Sequence, residues 1–294
     1  MSDNEKYLKK AGSTAHGQYE TDICPEIAGW EFSGIKVLNL PAGGQEELNS
    51  EADELLVLPL SGGCTVQVEG KEYQLEGRQD IWTDVTDYLY IPRETDFTVT
   101  SKEGGRFCIP TSLCNQRLEV SYWGKEAVNT SLRGAGPCSR QVNNYALGNE
   151  LKTDHLLVTE VLTPGGNWSS YPPHKHDEHN ENERKLEEIY YFEVRPGKDN
   201  SEGFALQRVY PSPGHPIDVC TEVRTGDVVV MPYGYHGPSA AAPGYDLYYL
   251  NVMAGPAEDA TWLMTDDPAH AWVKESWGEQ QVDPRLPMTK KVEK

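Results

Sequence analysis

Paired cysteines, clustered positive charge and long apolar runs are all missing from this 294-residue chain. The six cysteines (Cys24, Cys64, Cys108, Cys114, Cys138 and Cys220) are scattered and form no Cys-x-x-Cys pair. That argues against a cysteine-based zinc site and favours reduced thiols in a cytosolic setting. Cations are scarce: 26 Lys and Arg against 46 Asp and Glu leave a net charge of -20. Such a balance opposes nucleic acid and anionic membrane surfaces as partners, and an acidic substrate would need a local basic pocket. No run approaches the length of a membrane span. Residues 1–10 are polar where a secretory signal would be apolar, so the cytoplasm is the expected compartment. Amphipathic helical patterning is also sparse.

What is present is a series of short strand-like runs punctuated by Gly and Pro. A hydrophobic share of 37% with 16 Tyr and 7 Trp is enough for a packed core. The length suits two ordinary domains or one large all-β unit. Ile35-Lys-Val-Leu-Asn-Leu40, Glu54-Leu-Leu-Val-Leu-Pro-Leu60, Thr65-Val-Gln-Val-Glu69, Asp87-Tyr-Leu-Tyr-Ile-Pro92 and Phe97-Thr-Val-Thr-Ser101 form a first series. A second begins after Gly134-Ala-Gly-Pro137. There His155–Leu162 followed by Thr163-Pro-Gly-Gly166 echoes Ile35–Leu40 followed by Pro41-Ala-Gly-Gly44. Glu187–Val194 likewise echoes Glu54–Leu60, and Val228–Pro232 echoes Tyr88–Pro92. The order of elements repeats, which predicts an all-β chain of two similar barrels in tandem. The expected divisions are an N-terminal arm (1–27), a first barrel without metal ligands (28–133), a second barrel (134–259) and a tail (260–294). Trp262, Trp272 and Trp277 in the tail cover an open sheet end or a subunit contact, and His270 there reads as structural. A homo-oligomer is expected.

The chemistry concentrates in the second series. His174 and His176 are separated by one residue, so on an extended strand both project from the same side. Imidazole suits divalent transition metals, and a carboxylate completes a partly anionic donor set. His236, after Gly226-Asp-Val-Val-Val-Met-Pro232, follows a strand and a Pro/Gly turn that would present it from a neighbouring strand. Either Glu187 or Glu188 could supply the carboxylate; consecutive residues face opposite ways, and the pattern alone does not choose. A solvated His-x-His loop is the plainer alternative for the pair.

Around this cluster, the polar loop from Asp177 to Lys185 is either a lid or a solvated connection. His179 in it is a spare ligand or a solvated side chain, and Asp177 could orient a ligand histidine. In Ala205–Tyr210, Gln207 and Arg208 could line the cavity. An arginine inside a barrel needs an anion and would suit a carboxylate bidentately, though an outward-facing arginine fits the pattern equally. Lys175 is a further cation near the histidines. Leu247–Ala254 brings Tyr248, Tyr249 and Asn251, with one tyrosine facing inward in either register.

The run Thr163-Pro-Gly-Gly-Asn-Trp-Ser-Ser-Tyr-Pro-Pro-His-Lys-His-Asp177, with Leu-Glu-Glu-Ile-Tyr-Tyr191, Gln-Arg-Val-Tyr210, Gly-Asp-Val-Val-Val-Met-Pro232, Gly-Tyr-His236 and Pro-Gly-Tyr-Asp-Leu-Tyr-Tyr-Leu-Asn-Val-Met-Ala-Gly255, resembles the 5-deoxy-glucuronate isomerase family of myo-inositol catabolism. That family is related to 4-deoxy-L-threo-5-hexosulose-uronate ketol-isomerase. The resemblance extends from about Trp30 to Trp272 and implies a double cupin fold. It also implies a zinc or manganese ion held by His174, His176, Glu188 and His236, and a small uronic acid as substrate. The implied reaction converts an aldehyde acid into its keto isomer. In it Arg208, Gln207 and Lys175 would bind substrate, and Tyr190 or Tyr249 would assist proton transfer. Two features depart from the general cupin pattern: a longer gap between His176 and Glu188, and Pro-x-Gly-x-His with no Asn soon after His236. An iron-dependent cupin dioxygenase, separable by oxygen consumption, and a non-catalytic sugar-binding bicupin, separable by metal content, are the competing classes.

Overall fold

The computed structural model describes residues 2–289, and their strands form three antiparallel sheets. The first half closes around one nine-stranded sheet built on the long strand Asp53–Val68, which pairs with Gly105–Leu113, Lys71–Arg78, Tyr88–Ile91 and Asp96–Ser101 along its length. Alternating apolar residues explain its inward face. Leu55, Val57, Val66, Val68, Phe97 and Phe107 fill the interior of this barrel with a packed cluster.

The second half faces a seven-stranded sheet against a six-stranded one. The seven-stranded sheet runs Leu8–Lys9, Val228–Met231, Glu187–Val194, Leu247–Ala254, Leu157–Thr163, Arg140–Asn144, Asn129–Arg133. Its middle strands are buried on both faces, because one side closes the second barrel and the other packs on the first. The smaller sheet runs Val219–Val223, Ala205–Tyr210, Tyr235–Ala241, His174–Lys175, Thr265–Asp266, with Trp168–Ser169 as a sixth strand also paired to Tyr235–Ala241. All six cysteines are free. Among the described residues no helix is long and apolar enough to cross a membrane.

The two halves are joined by reciprocal carboxylates at equivalent points of the repeat. Glu54 accepts the backbone N–H groups of Asp154, His155 and Leu156 at 2.6–2.9 Å, and the Tyr90 hydroxyl as well. Glu187 accepts those of Glu31, Phe32 and Ser33 at 2.8–2.9 Å. Each barrel thus stops a loop of the other with one buried carboxyl group, whose oxygens take up three successive backbone donors. Arg78 of the first half reaches Glu160 of the second, with both side chains fully buried.

Three boundaries differ from those expected. The N-terminal arm is not a free extension: Leu8–Lys9 adds an edge strand to the second barrel, while Tyr19–Ile23 pairs with Ser33–Leu40 of the first. Asn129–Arg133 belongs to the second barrel, so that unit starts before residue 134. The tail, expected as a separate segment, contributes a strand, Thr265–Asp266, directly beside His174, followed by a 3-10 segment, Ala271–Glu279.

Candidate metal centre and its cavity

His174 sits directly opposite His236 on adjacent antiparallel strands. Such partners share a face with Cβ atoms about 4.5–5.5 Å apart, and here the two Nε2 atoms meet at 3.1 Å. His236 owes its aim to a bulge. Gln207 pairs with Ser239 and Val209 with His236, so two residues on one strand span three on the other. Both Ser239 and His236 therefore face inward, which regular alternation would forbid. Gly237 accommodates the bend at φ +111°; a Cβ there would lie 1.8 Å from the Ser170 carbonyl oxygen.

His176 follows on the same side, its ring centroid 4.8 Å from that of His236. Its Nδ1 contacts the Leu186 carbonyl at 3.1 Å, and the His236 Nδ1 faces the Gly234 carbonyl at 3.4 Å. Backbone acceptors at Nδ1 leave Nε2 free to coordinate. Of the paired glutamates, Glu188 is the one that faces the histidines. Its Oε2 lies 3.0 Å from His176 Nε2 and 2.7 Å from His236 Nε2, while Oε1 accepts the Asn251 amide at 2.7 Å. Glu187 is spent on the interbarrel contact.

Coordinating nitrogens of His174, His176 and His236 lie within 4.8 Å of one another, and all three side chains are buried. Bonds of about 2.1 Å from one cation span donors up to about 4.2 Å apart, which covers the 3.1 Å between His174 and His236 and the 2.7–3.0 Å from Glu188 to His236 and His176. Burial, reinforced by His236, pushes the His174 imidazole well below its ordinary pKa. Burial opposes the charged form of His176 too, but the Glu188 carboxylate raises it. Glu188 would be raised by burial, yet His236 and His176 hold it well below the usual carboxylate range. An ionised carboxylate beside buried imidazoles is the donor chemistry that suits zinc or manganese.

A cavity of about 280 Å³ opens beside this cluster, lined by His174, Tyr190, Tyr249, Ser170 and Asn251 among others. It is close to the lower end for small-molecule sites, roughly 300 Å³. Tyr190 and Tyr249 stack at 4.3 Å, and their hydroxyls meet Ser170 Oγ at 2.8 and 3.1 Å. Burial raises both phenol pKa values, so they remain hydroxyls. Tyr248 faces the other way and donates to Glu160.

Other expected residues fall elsewhere. Arg208 lies on the outward face of its strand, paired with Asp218 and the carbonyls of Val209 and Val219, so it does not reach the cavity. Gln207 is buried, but its amide oxygen accepts the Ser239 hydroxyl and it does not line the cavity. Lys175 alternates away from the two histidines and is engaged by Asp177 at 2.7 Å and Glu183 at 2.9 Å. Asp177 does not touch a ligand histidine. It binds Lys175, Ser212 and the Gly234 amide, two residues before His236, and so acts on the turn that carries that ligand. The loop after Asp177 is pinned by buried Glu183, which also accepts the amides of Asp177 and Glu178, whereas His179 is exposed.

Two arginines absent from the expected set line the same cavity: Arg133 and Arg140. The tail supplies Trp262, Met264, Asp266, Lys274 and Trp277 to the lining. Trp262 is 6.0 Å from the His174 ring, and its indole Nε1 is buried without a partner, as is the Asn251 Oδ1.

A family model described as the KduI/IolB family matches residues 7–273. The chain is 38% identical over 257 residues to a 5-deoxy-glucuronate isomerase of Geobacillus thermodenitrificans (strain NG80-2), covering 86% of this chain and 90% of that protein. It is 36% identical over 244 residues to the 5-deoxy-glucuronate isomerase of Bacillus subtilis (strain 168), covering 82% and 87%. Among solved structures, an IolB-like protein from Salmonella typhimurium LT2 matches with TM-score 0.83 and 34% identity, covering 91% of this chain and 98% of that one. A Bacillus subtilis oxalate decarboxylase matches with TM-score 0.62 and 12% identity over 90% and 80%, a likeness of fold alone. The fold is all-β, the pair of barrels that the repeat predicted and the double cupin that the family resemblance implied.

Proposed function

The chain belongs to the KduI/IolB family, and from that kinship we propose that it is a metal-dependent aldose–ketose isomerase acting on 5-deoxy-glucuronate in myo-inositol catabolism. The observation that carries the reading is the convergence of His174, His176, His236 and Glu188 beside a small cavity. The product would be 5-dehydro-2-deoxy-gluconate. The change moves hydrogen from C2 to C1 and a hydroxyl proton from O2 to O1, so the formula is unchanged and no electron acceptor is consumed.

A bound zinc or manganese ion would supply Lewis acidity toward the two neighbouring substrate oxygens. His174, His176 and His236 would hold it through Nε2 and Glu188 through Oε2, with the Asn251 amide fixing the carboxylate. Tyr190 and Tyr249, kept as hydroxyls by burial, donate hydrogen bonds to the reacting oxygens. Ser170, bridging both phenols, gives protons a path along one wall of the cavity. Trp262 and the apolar wall formed by Val142 and Val161 exclude water from that path.

Incubation with 5-deoxy-glucuronate followed by proton NMR tests this directly. The aldehyde signal should give way to the ketose, activity should vanish with a chelator, and zinc or manganese should restore it. No conversion by metal-loaded protein overturns the proposal.

A further inference from the structure

Arg133 and Arg140 stand in direct register across the antiparallel pair formed by Asn129–Arg133 and Arg140–Asn144. Like charges placed opposite one another destabilise a sheet. Nevertheless, among the described residues neither guanidinium forms an ion pair, although the chain has 46 acidic residues. The acid in their cavity, Asp266, is taken by Lys274. Arg140 donates only to the carbonyls of Cys138 and Tyr171, and Arg133 to the Ser131 hydroxyl, so most of their five N–H donors each are left over. Each cation lies over an indole ring, Arg133 on Trp262 at 5.4 Å and Arg140 on Trp277 at 5.8 Å. The Trp262 indole N–H is itself buried without an acceptor, while that of Trp277 lies against the Cys138 thiol.

Two guanidinium groups without an acidic partner in one cavity with a candidate metal centre call for an anion with several acceptor lone pairs. We infer that Arg133 and Arg140 seat the substrate's carboxylate, and that with Trp262 and Trp277 they select uronates over neutral aldoses. The identity of the substrate rests on the isomerase reading; the anion seat itself does not. A planar carboxylate matches the guanidinium fork, and the chain's net charge makes a local basic seat necessary for an acidic substrate. The tail thereby becomes part of the specificity machinery.

The test uses metal-loaded protein and the variants Arg133→Gln, Arg140→Gln and Arg140→Lys. For 5-deoxy-glucuronate, KM should rise on the order of 10–100-fold in each Gln variant with a much smaller change in kcat, and Arg140→Lys should recover part of the loss. The neutral analogue with a primary alcohol in place of the carboxylate should be turned over equally by all forms. Independently of turnover, glutarate should change the tryptophan fluorescence of the wild type saturably and leave the Gln variants unaffected. Melting temperatures of the Gln variants should hold or rise, because removing one cation relieves repulsion; a structural role would lower them. If the wild type fails to isomerise the uronate yet glutarate binding depends on both arginines, the isomerase reading falls and the anion seat stands. Unchanged KM in the Gln variants, or no glutarate response in the wild type, overturns the inference.

Discussion

Replacing Asn251 by Ala isolates the support of a metal ligand from the ligand itself. The Asn251 amide donates to Glu188 Oε1 at 2.7 Å inside a buried cluster. Truncation leaves that oxygen without its charge-assisted hydrogen bond, a contact worth about 1.5–3 kcal/mol. The carboxylate can then rotate away from the position where Oε2 faces His176 and His236. The corresponding loss of metal affinity is roughly 10–150-fold, which agrees with the 10–100-fold typical when a partner of a metal ligand is removed. Competition against a chromophoric zinc chelator measures it, with the melting temperature of metal-free protein as the control for a general packing defect. An affinity within threefold of wild type would show that Glu188 is not held by Asn251 or does not bind the metal.

Four further outcomes follow from other contacts. Arg78→Met should destabilise the protein by about 3–5 kcal/mol in denaturant titration, because Glu160 is left buried without its cationic partner; replacing Glu160 by an apolar residue as well should recover part of the loss. Glu187→Ala should remove at least about 3 kcal/mol of stability by stranding three backbone donors, yet leave metal stoichiometry intact, whereas Glu188→Ala should do the reverse. Burial would raise Asp177, but the Lys175 ammonium, Ser212 hydroxyl and Gly234 amide hold its pKa at about 2. Because that value is depressed, its contribution of roughly 2 kcal/mol is present above pH 4 and lost as pH falls toward 2. Unfolding of metal-free wild type and Asp177→Asn should therefore converge across that window. Tyr190→Phe should lower kcat about 100-fold with KM little changed, on the scale of a lost proton-transfer partner.

The sequence made the barrels legible through the repeated order of strands and Gly/Pro turns, and the repeat reaches further than expected, since Glu54 and Glu187 stop each other's loops from equivalent positions. His174 and His176 were readable because a period of two needs no tertiary information. The choice between Glu187 and Glu188 was not, because alternation says that the two diverge but not which face is the interior. His236 needed a bulge that no pattern announces. Arg208 illustrates the converse: its strand alternates as expected, but the face it occupies is the outer one. Arg133 and Arg140 went unnoticed because the Gly134-Ala-Gly-Pro137 break between them reads as a domain boundary, when it is the connection of a two-stranded pair that brings both into one cavity. Trp262 and Trp277 of the tail line the cavity whereas Trp272 is exposed, and nothing in the sequence pattern separates the three.

The central claim is that one cation sits among four side chains of the second barrel. Anomalous-difference maps from crystals grown with zinc or manganese test it most directly. One peak is expected per chain, about 2.0–2.2 Å from the Nε2 atoms of His174, His176 and His236 and from Glu188 Oε2. An active enzyme whose map shows no peak there, or a peak that His236 does not reach, would contradict it.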